Sequence, residues 1–388
     1  MQISYTAQQQ VFREQIRDWL SRHVPSQRLA SFDTEEGFAA HRDWERVLHQ
    51  GNYGMVTWPK QFGGRGCDLI EWLIFEEEYY AADAPGRVSQ NGIFLLGPTL
   101  MEYGTEEQKA RYLPAMASGD EIWAQAWSEP GAGSDMAAIR CRADRDANSN
   151  HYVINGQKIW SSRAVYADMC FGLFRTNQDA EKPHQGLSMI LLPLSSPGVN
   201  IRPIRQLDGD PGFAEIFFDD VRVPAQNLLG PEHQGWRVAM ATAGFERGLM
   251  LRSPARFQKT AARLLELLGI KVDEVSSATR AAVVQSWMDS EAYAYATYET
   301  ASKLMSGEQV GAEASCNKIF WSELDRQMHR AAVSLCGAVA ELETNLDGAI
   351  DGVRWLDGYM FSLAGPIYAG ANEIQRNIIS ERLLGLPR

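Results

Sequence analysis

No run in this chain is apolar for long enough to span a bilayer, and no stretch gathers lysines and arginines on one face. The first absence excludes a helical membrane protein, which needs about 20 apolar residues in a row. The second, with a formal net charge of −12, argues against nucleic acid as a partner. Cysteine is scarce too: Cys67, Cys141, Cys170, Cys316 and Cys336 are odd in number, far apart and never spaced C-x-x-C. That pattern supplies neither a disulfide framework nor a zinc site and predicts reduced thiols. The seven histidines are scattered; His184 and His233 fall in polar loops without metal-ligand spacing, so no metal is expected. There is no internal repeat, no low-complexity segment and no G-x-x-x-x-G-K-[ST] order, which argues against a P-loop. The opening "MQISYTAQQQVFREQIRDWL" reads as an amphipathic helix rather than a signal peptide. The expectation is a cytoplasmic protein whose partners are small molecules or other subunits.

What is present is ordinary globular composition, 45% hydrophobic and 22% charged, in a chain long enough for two or three domains. Apolar residues recur at three and four in "QQQVFREQIRDWLSRHV", "FAAHRDWERVLHQGNYG", "LIEWLIFEEEYYAAD" and "TEEQKARYLPAMASG", which predicts helices, with "WPKQFGGRGCD" a glycine-rich surface loop among them. The period then changes: "EIWAQAWSE", "HYVINGQKIWSS", "DMCFGLFRT", "GLSMILLPL" and "AEIFFDDVRVP" read as short strands, with Asn155-Gly156 as a hairpin signal. Helical periodicity returns in "SWMDSEAYAYATYETASKLMSG" and "ASCNKIFWSELDRQMHRAAVSLCGAVAELE". The predicted order is helical over 1–120, all-β over 121–230 and helical over 231–388, an α+β plan.

Three stretches carry the chemistry. "WSEPGAGSD", residues 127–135, is an open turn whose backbone N–H groups and Ser134 hydroxyl suit the polar edges of a ligand. No parallel βαβ pattern precedes it, so a Rossmann reading is poor, and a plain glycine turn is the bland alternative. "INGQKIWSSRAVYAD", residues 154–168, puts Trp160 where an indole covers a flat heterocycle and Ser162 two residues on, on the same strand face; taken alone, Trp160 reads as core. "YAGANEIQR", residues 368–376, combines Gly370 for backbone freedom with Asn372 as a helix N-cap and an apolar stripe from Ile374 to Ile378. Its exposed-looking positions are Ala369 and Ala371, which do no side-chain chemistry.

Taken together, "SEPGAGSD", "INGQKIWSS…AD", "FFDDVRVP" and "GANEIQRNIISERLLG", in this order and spacing, resemble the acyl-CoA dehydrogenase family along nearly the whole chain. The resemblance implies an N-terminal helical domain, a middle β-barrel or sandwich and a C-terminal four-helix bundle, with FAD as cofactor. It implies oxidation of an acyl thioester, on CoA or an acyl-carrier protein, to the trans-2-enoyl product, with an electron-transfer flavoprotein or similar acceptor. Carried over, Trp127 and Ser128 meet the flavin's pyrimidine edge, and Gly133 and Ser134 lie near the pyrophosphate or bound CoA. Trp160 packs on the isoalloxazine, Ser162 bonds its N5 region in place of the commoner threonine, and Asn372 is a further cofactor contact.

The family reaction takes a proton from the α-carbon with a glutamate, usually that of a Tyr-Glu-Gly-Thr stretch, and here that position is Ala369. Alanine keeps the main-chain N–H that polarises the thioester carbonyl. In a minority of members the base lies on an earlier helix directly before an arginine; "ATAGFERGLM" matches, with Glu246 as base and Arg247 in support. A carboxylate desolvated by bound substrate gains the raised pKa a base needs. The bland alternative makes Glu246 a solvated residue or Arg247's ion-pair partner; Glu373, suited to a helix N-terminus, and Tyr368 are lesser candidates.

The usual Arg-x-x-Phe-Gly and Gly-Gly-x-Gly signatures for a neighbour's FAD are absent, which resembles bacterial members acting on steroid side chains or other bulky acyl groups, some of them heteromeric. A dimer or tetramer, like or unlike, is expected. Two other classes stay open: a flavin monooxygenase of the same fold, and a non-catalytic subunit completing a partner's FAD site.

Overall fold

The computed structural model describes residues 4–146, 148–247, 253–271, 275–308, 310–341 and 355–387. Helices α1 (Ala7–His23), α2 (Glu35–Gln50), α3 (Leu69–Ala81), α4 (Gly97–Tyr103) and α5 (Glu106–Ala117) come first. Among the described residues the strands that follow are β1 (Trp123–Ala126), β2 (Arg142–Asp146), β3 (His151–Ser162), β4 (Met169–Arg175), β5 (Leu187–Pro193), β6 (Val199–Ile204), β7 (Phe213–Pro224) and β8 (Leu228–Leu229). Helices α6 (Gly235–Arg247), α7 (Pro254–Lys271), α8 (Ser277–Met305), α9 (Ala314–Cys336), α10 (Trp355–Ser362) and α11 (Asn372–Ile378) complete the order. The helix starts are written in the sequence: Thr6 with Gln9, Asp68 with Glu71 and Thr105 with Gln108 form capping boxes, each satisfying two orphan donors.

The chain packs as two units. In one, α1 and α3 pack with the helices from α7 onward; in the other, α2, α4, α5 and α6 accompany all the strands. Within the first, α7, α8, α9 and α10 make a helical bundle around Phe257, Leu264, Trp321, Leu324, Met328 and Trp355, with α11 laid on α9. Within the second, the strands form one sheet in the order β6-β7-β3-β2-β4-β5-β8, with β1 parallel to β4. Alternating inward residues such as Tyr152, Ile154, Phe174, Ile190, Ile216 and Val221 fill its core.

The expected hairpin at Asn155-Gly156 is not there. Both residues lie inside β3, which runs unbroken from His151 to Ser162. Two steps along β3, from Ile154 to Gly156, face three along β7, from Val221 to Phe218, so this is a bulge in β7. Asn155 stabilises it by exchanging hydrogen bonds of 2.9 Å each way with Asp220, which sits at φ 48°. Gly156 is glycine because a Cβ there would stand 2.7 Å from the Cys141 sulfur, at a φ of +139°. The Asn-Gly pair answers a cross-strand demand, not a turn.

Among the described residues no helix is long and apolar enough to cross a membrane, and no group of histidine, cysteine or carboxylate side chains is set to hold a metal.

Candidate active site

In the sheet unit, the 127–135 loop projects from the end of β1. Glu129 and Ala132 pair backbone to backbone at 2.8 and 3.0 Å, closing a tight turn over Pro130 and Gly131. Beyond it, Gly133 and Ser134 are exposed, and nothing lies within 4 Å of where a Cβ on Gly131 or Gly133 would stand. The loop therefore has bare, reachable backbone on an anchored base.

The anchor is a pair of charged residues that periodicity and motif resemblance do not single out. Glu129 accepts hydrogen bonds from the Arg140 N–H at 2.7 Å, the Cys141 N–H at 2.8 Å and Lys158 Nζ at 2.8 Å. Lys158, on β3 and without exposed surface, spends its three N–H bonds on Glu129, the Trp127 carbonyl at 3.0 Å and the Leu173 carbonyl at 2.6 Å. An ammonium has three protons to give, and all three are given. Burial pushes the lysine below its usual pKa and pushes the Cys141 thiol up to about 12, which keeps that cysteine protonated. A signal for the pair does exist: both residues stand inside the quoted motifs, and Lys158 occupies an inward position in phase with Tyr152 and Ile154.

Trp160 is not core. Three steps on β3, from Lys158 to Ser161, face two on β7, from Ile216 to Ala214, and the extra residue is accommodated with Trp160 at φ 60°. This bulge shifts the alternation. Ser161 turns inward, its hydroxyl buried with no partner among the described residues, while the indole of Trp160 turns out, 56% exposed and edge-on to Phe213 at 6.0 Å. A bulky residue in the left-handed region costs about 1–2 kcal/mol, and exposing an indole forfeits burial as well. Two such costs at one residue are characteristic of a binding surface. Ser162, half-buried, follows on β3. Trp127 is buried with its ring edge-on to Phe171 at 6.1 Å, and its indole N–H has no partner among the described residues. Ser128 is half-buried and gives its carbonyl to the Ile159 N–H at 2.9 Å.

Helix α6 belongs to the same unit. Gly235 starts it against Ser188, leaving 2.5 Å for a Cβ, and the Thr242 hydroxyl meets the Thr99 hydroxyl of α4 at 2.9 Å, both buried. Glu246 and Arg247 are its last two residues; their side chains lie outside the described residues.

In the helical unit, the turn before α11 is doubly left-handed, with Ala369 at φ 55° and Gly370 at φ 81°. The Ala369 N–H meets no acceptor among the described residues, whereas the Tyr368 N–H before it bonds the Ala364 carbonyl at 3.1 Å. Asn372 is not the N-cap. That position is Ala371, without a side-chain bond, because the Asn372 amide faces the bundle: Oδ1 accepts from Lys318 Nζ at 2.7 Å and Nδ2 donates to Ser322 and Glu323 at 3.1 Å. Glu373 is exposed on the first turn of α11 and pairs with Arg376 at 3.4 Å.

Models of three domains of one family match the chain in succession: the acyl-CoA dehydrogenase N-terminal domain over residues 6–120, middle domain over 124–221 and C-terminal domain over 233–384. The chain is 40% identical to acyl-CoA dehydrogenase IpdE1 of Mycolicibacterium smegmatis, with 98% of each chain covered. It is 32% identical to a chain of the ChsE4–ChsE5 complex from Mycobacterium tuberculosis, at a TM-score of 0.84 over 100% of both chains. Against the solved "Tcur3481–Tcur3483 steroid ACAD" the identity is 26% and the TM-score 0.87, again over 100% of both.

Proposed function

The chain belongs to the acyl-CoA dehydrogenase family of FAD-dependent oxidoreductases, and on that footing we propose that it oxidises a bulky, steroid side-chain acyl-CoA to the trans-2-enoyl thioester with Glu246 as base. The observation that carries this reading is Ala369: the turn keeps its left-handed conformation and an N–H without an acceptor among the described residues, although its side chain has no acid–base chemistry. A turn that had lost its part in the reaction would have no reason to retain that strain.

The residues fit FAD. The bare backbone around Gly131 and Gly133 suits a phosphate-bearing ligand, and the outward indole of Trp160 suits a flat ring system. Trp127, Ser128, Gly133, Ser134, Trp160 and Ser162 are the proposed contacts; Asn372 acts on the Ala369 turn instead. When bound, FAD accepts the hydride that leaves the substrate's β-carbon. The protein's own part is the proton: Glu246 takes it from the α-carbon, and the Ala369 N–H donates to the thioester carbonyl as negative charge gathers there. Arg247, next in sequence, supports Glu246.

Trp160→Ala tests the flavin contact. Because the indole is exposed, thermal stability without FAD should change by less than about 1 kcal/mol, while the FAD dissociation constant rises roughly tenfold or more. Titration of apoprotein with FAD, read by flavin fluorescence, checks both limbs, and unchanged affinity removes Trp160 from the site.

The steroid class rests on one solved relative, the steroid ACAD, and an unlike partner subunit on the solved ChsE4–ChsE5 complex. An electron-transfer flavoprotein is the proposed acceptor. Mixed anaerobically with a steroid side-chain acyl-CoA, holoprotein should lose its flavin colour at least tenfold faster than with octanoyl-CoA. No bleaching by any thioester defeats the dehydrogenase reading, and faster bleaching by octanoyl-CoA defeats only the substrate class. A chain that is colourless alone and yellow beside an unlike partner establishes the heteromer.

A further inference from the structure

The helical unit buries a lysine that the reaction does not use. Lys318, on α9, is 1% exposed, and its ammonium donates to the Gly365 carbonyl at 3.0 Å and to Asn372 Oδ1 at 2.7 Å. Taking a cation out of water costs several kcal/mol, so its acceptors matter. Both lie in the segment that contains Ala369, one at its start and one at its end. Two more residues on the same face of α9, at the helical spacing i+3 and i+4, hold the segment as well. The Trp321 ring stacks on Tyr368 at 6.0 Å and 27°, and the Ser322 hydroxyl accepts from Asn372 Nδ2 at 3.1 Å. Inside the segment, the Asn372 N–H donates to the Pro366 carbonyl at 2.8 Å, and Gln375 Nε2 donates to the Gly370 carbonyl at 3.2 Å. The two left-handed residues, Ala369 and Gly370, are thus bracketed by polar bonds to buried side chains.

We infer that Lys318 and Asn372 are positioning residues for the carbonyl-binding step: they fix the direction and height of the Ala369 N–H. The inference rests on the proposed function, in which that N–H meets the thioester carbonyl. The physics is that of a preorganised donor. A hydrogen bond to a developing oxyanion acts only if the donor is already in place, and a misplacement of about 1 Å costs about 10²-fold in rate. Alanine prefers other backbone conformations, so without the bracket the turn relaxes and the donor swings away.

The test uses holoprotein with trans-2-octenoyl-CoA carrying ¹³C at the carbonyl, a product-type thioester that is not oxidised further. In the wild type the bound carbonyl stretch should fall to lower frequency than in water. Lys318→Met should abolish most of that fall and lower kcat about 10–100-fold with KM within about threefold and FAD content unchanged. Ser322→Ala, which any helix tolerates, should do the same in smaller measure and serves if Lys318→Met does not fold. If the wild type itself shows no fall, it is the Ala369 donor that fails. If the wild type shows it and whichever variants fold retain it in full, the positioning role of Lys318 and Asn372 is overturned while the donor stands.

Discussion

Glu246→Gln is expected to leave FAD bound and to cut the rate of flavin reduction by substrate about 10²–10⁴-fold. The substitution keeps the shape and the hydrogen-bonding reach of the side chain and removes only its capacity to take a proton. Ala369 cannot substitute, because its side chain is a methyl group and its contribution is an N–H, which donates a hydrogen bond and cannot accept a proton. Glu373, on the helix that follows that turn, is exposed and paired with Arg376, as a residue serving the start of α11 would be. The effect should therefore appear in kcat, with thioester affinity within a few-fold of the wild type. Rapid anaerobic mixing, followed by flavin absorbance, measures it. Retained reduction would move the base elsewhere, and Glu373→Gln would be the next variant to make.

Much of this architecture is legible in the residues. The bounds of β3 coincide with the alternating stretch 151–162, and the long helices begin at the Thr, Asp and Ser residues that cap them. What periodicity could not give is where it breaks. A pattern of two places Trp160 in the core with Tyr152 and Ile154; one additional residue against β7 puts it outside, and nothing local announces that residue. Asn155-Gly156 carries the dipeptide of a turn, yet it serves Cys141 and Asp220 across the sheet, partners that are distant in sequence. Asn372 fails as a cap for the same reason: Lys318, 54 positions earlier, claims its amide. The errors fall where a contact from far along the chain outbids a local preference. Strand β2, RADRD, is nearly all charge although it lies between β3 and β4, and β8 is two residues long, so neither carries a readable period; β6, VNIRPI, alternates but is short and interrupted by Pro203.

Lys158→Met should be the most damaging single change in the sheet unit. It exchanges a chain of similar length, so the loss is the charge and its three hydrogen bonds and not volume. The Glu129 carboxylate, with only 8% of its side chain exposed, would keep the Arg140 and Cys141 N–H groups but lose its cation, and the Trp127 and Leu173 carbonyls would lose a donor each. Breaking a buried pair from one side costs about 3–5 kcal/mol, a large part of the roughly 5–15 kcal/mol that holds a typical domain together. The same bonds hold Trp127, Glu129 and the strand carrying Trp160 together, so FAD should be lost on gel filtration as well. Adding Glu129→Gln to Lys158→Met separates the two effects. With no unpaired charge left, thermal stability should recover in part, whereas FAD affinity should not, because the loop is still unanchored. If the double variant regains FAD together with stability, the pair serves folding alone and the loop finds its shape without it.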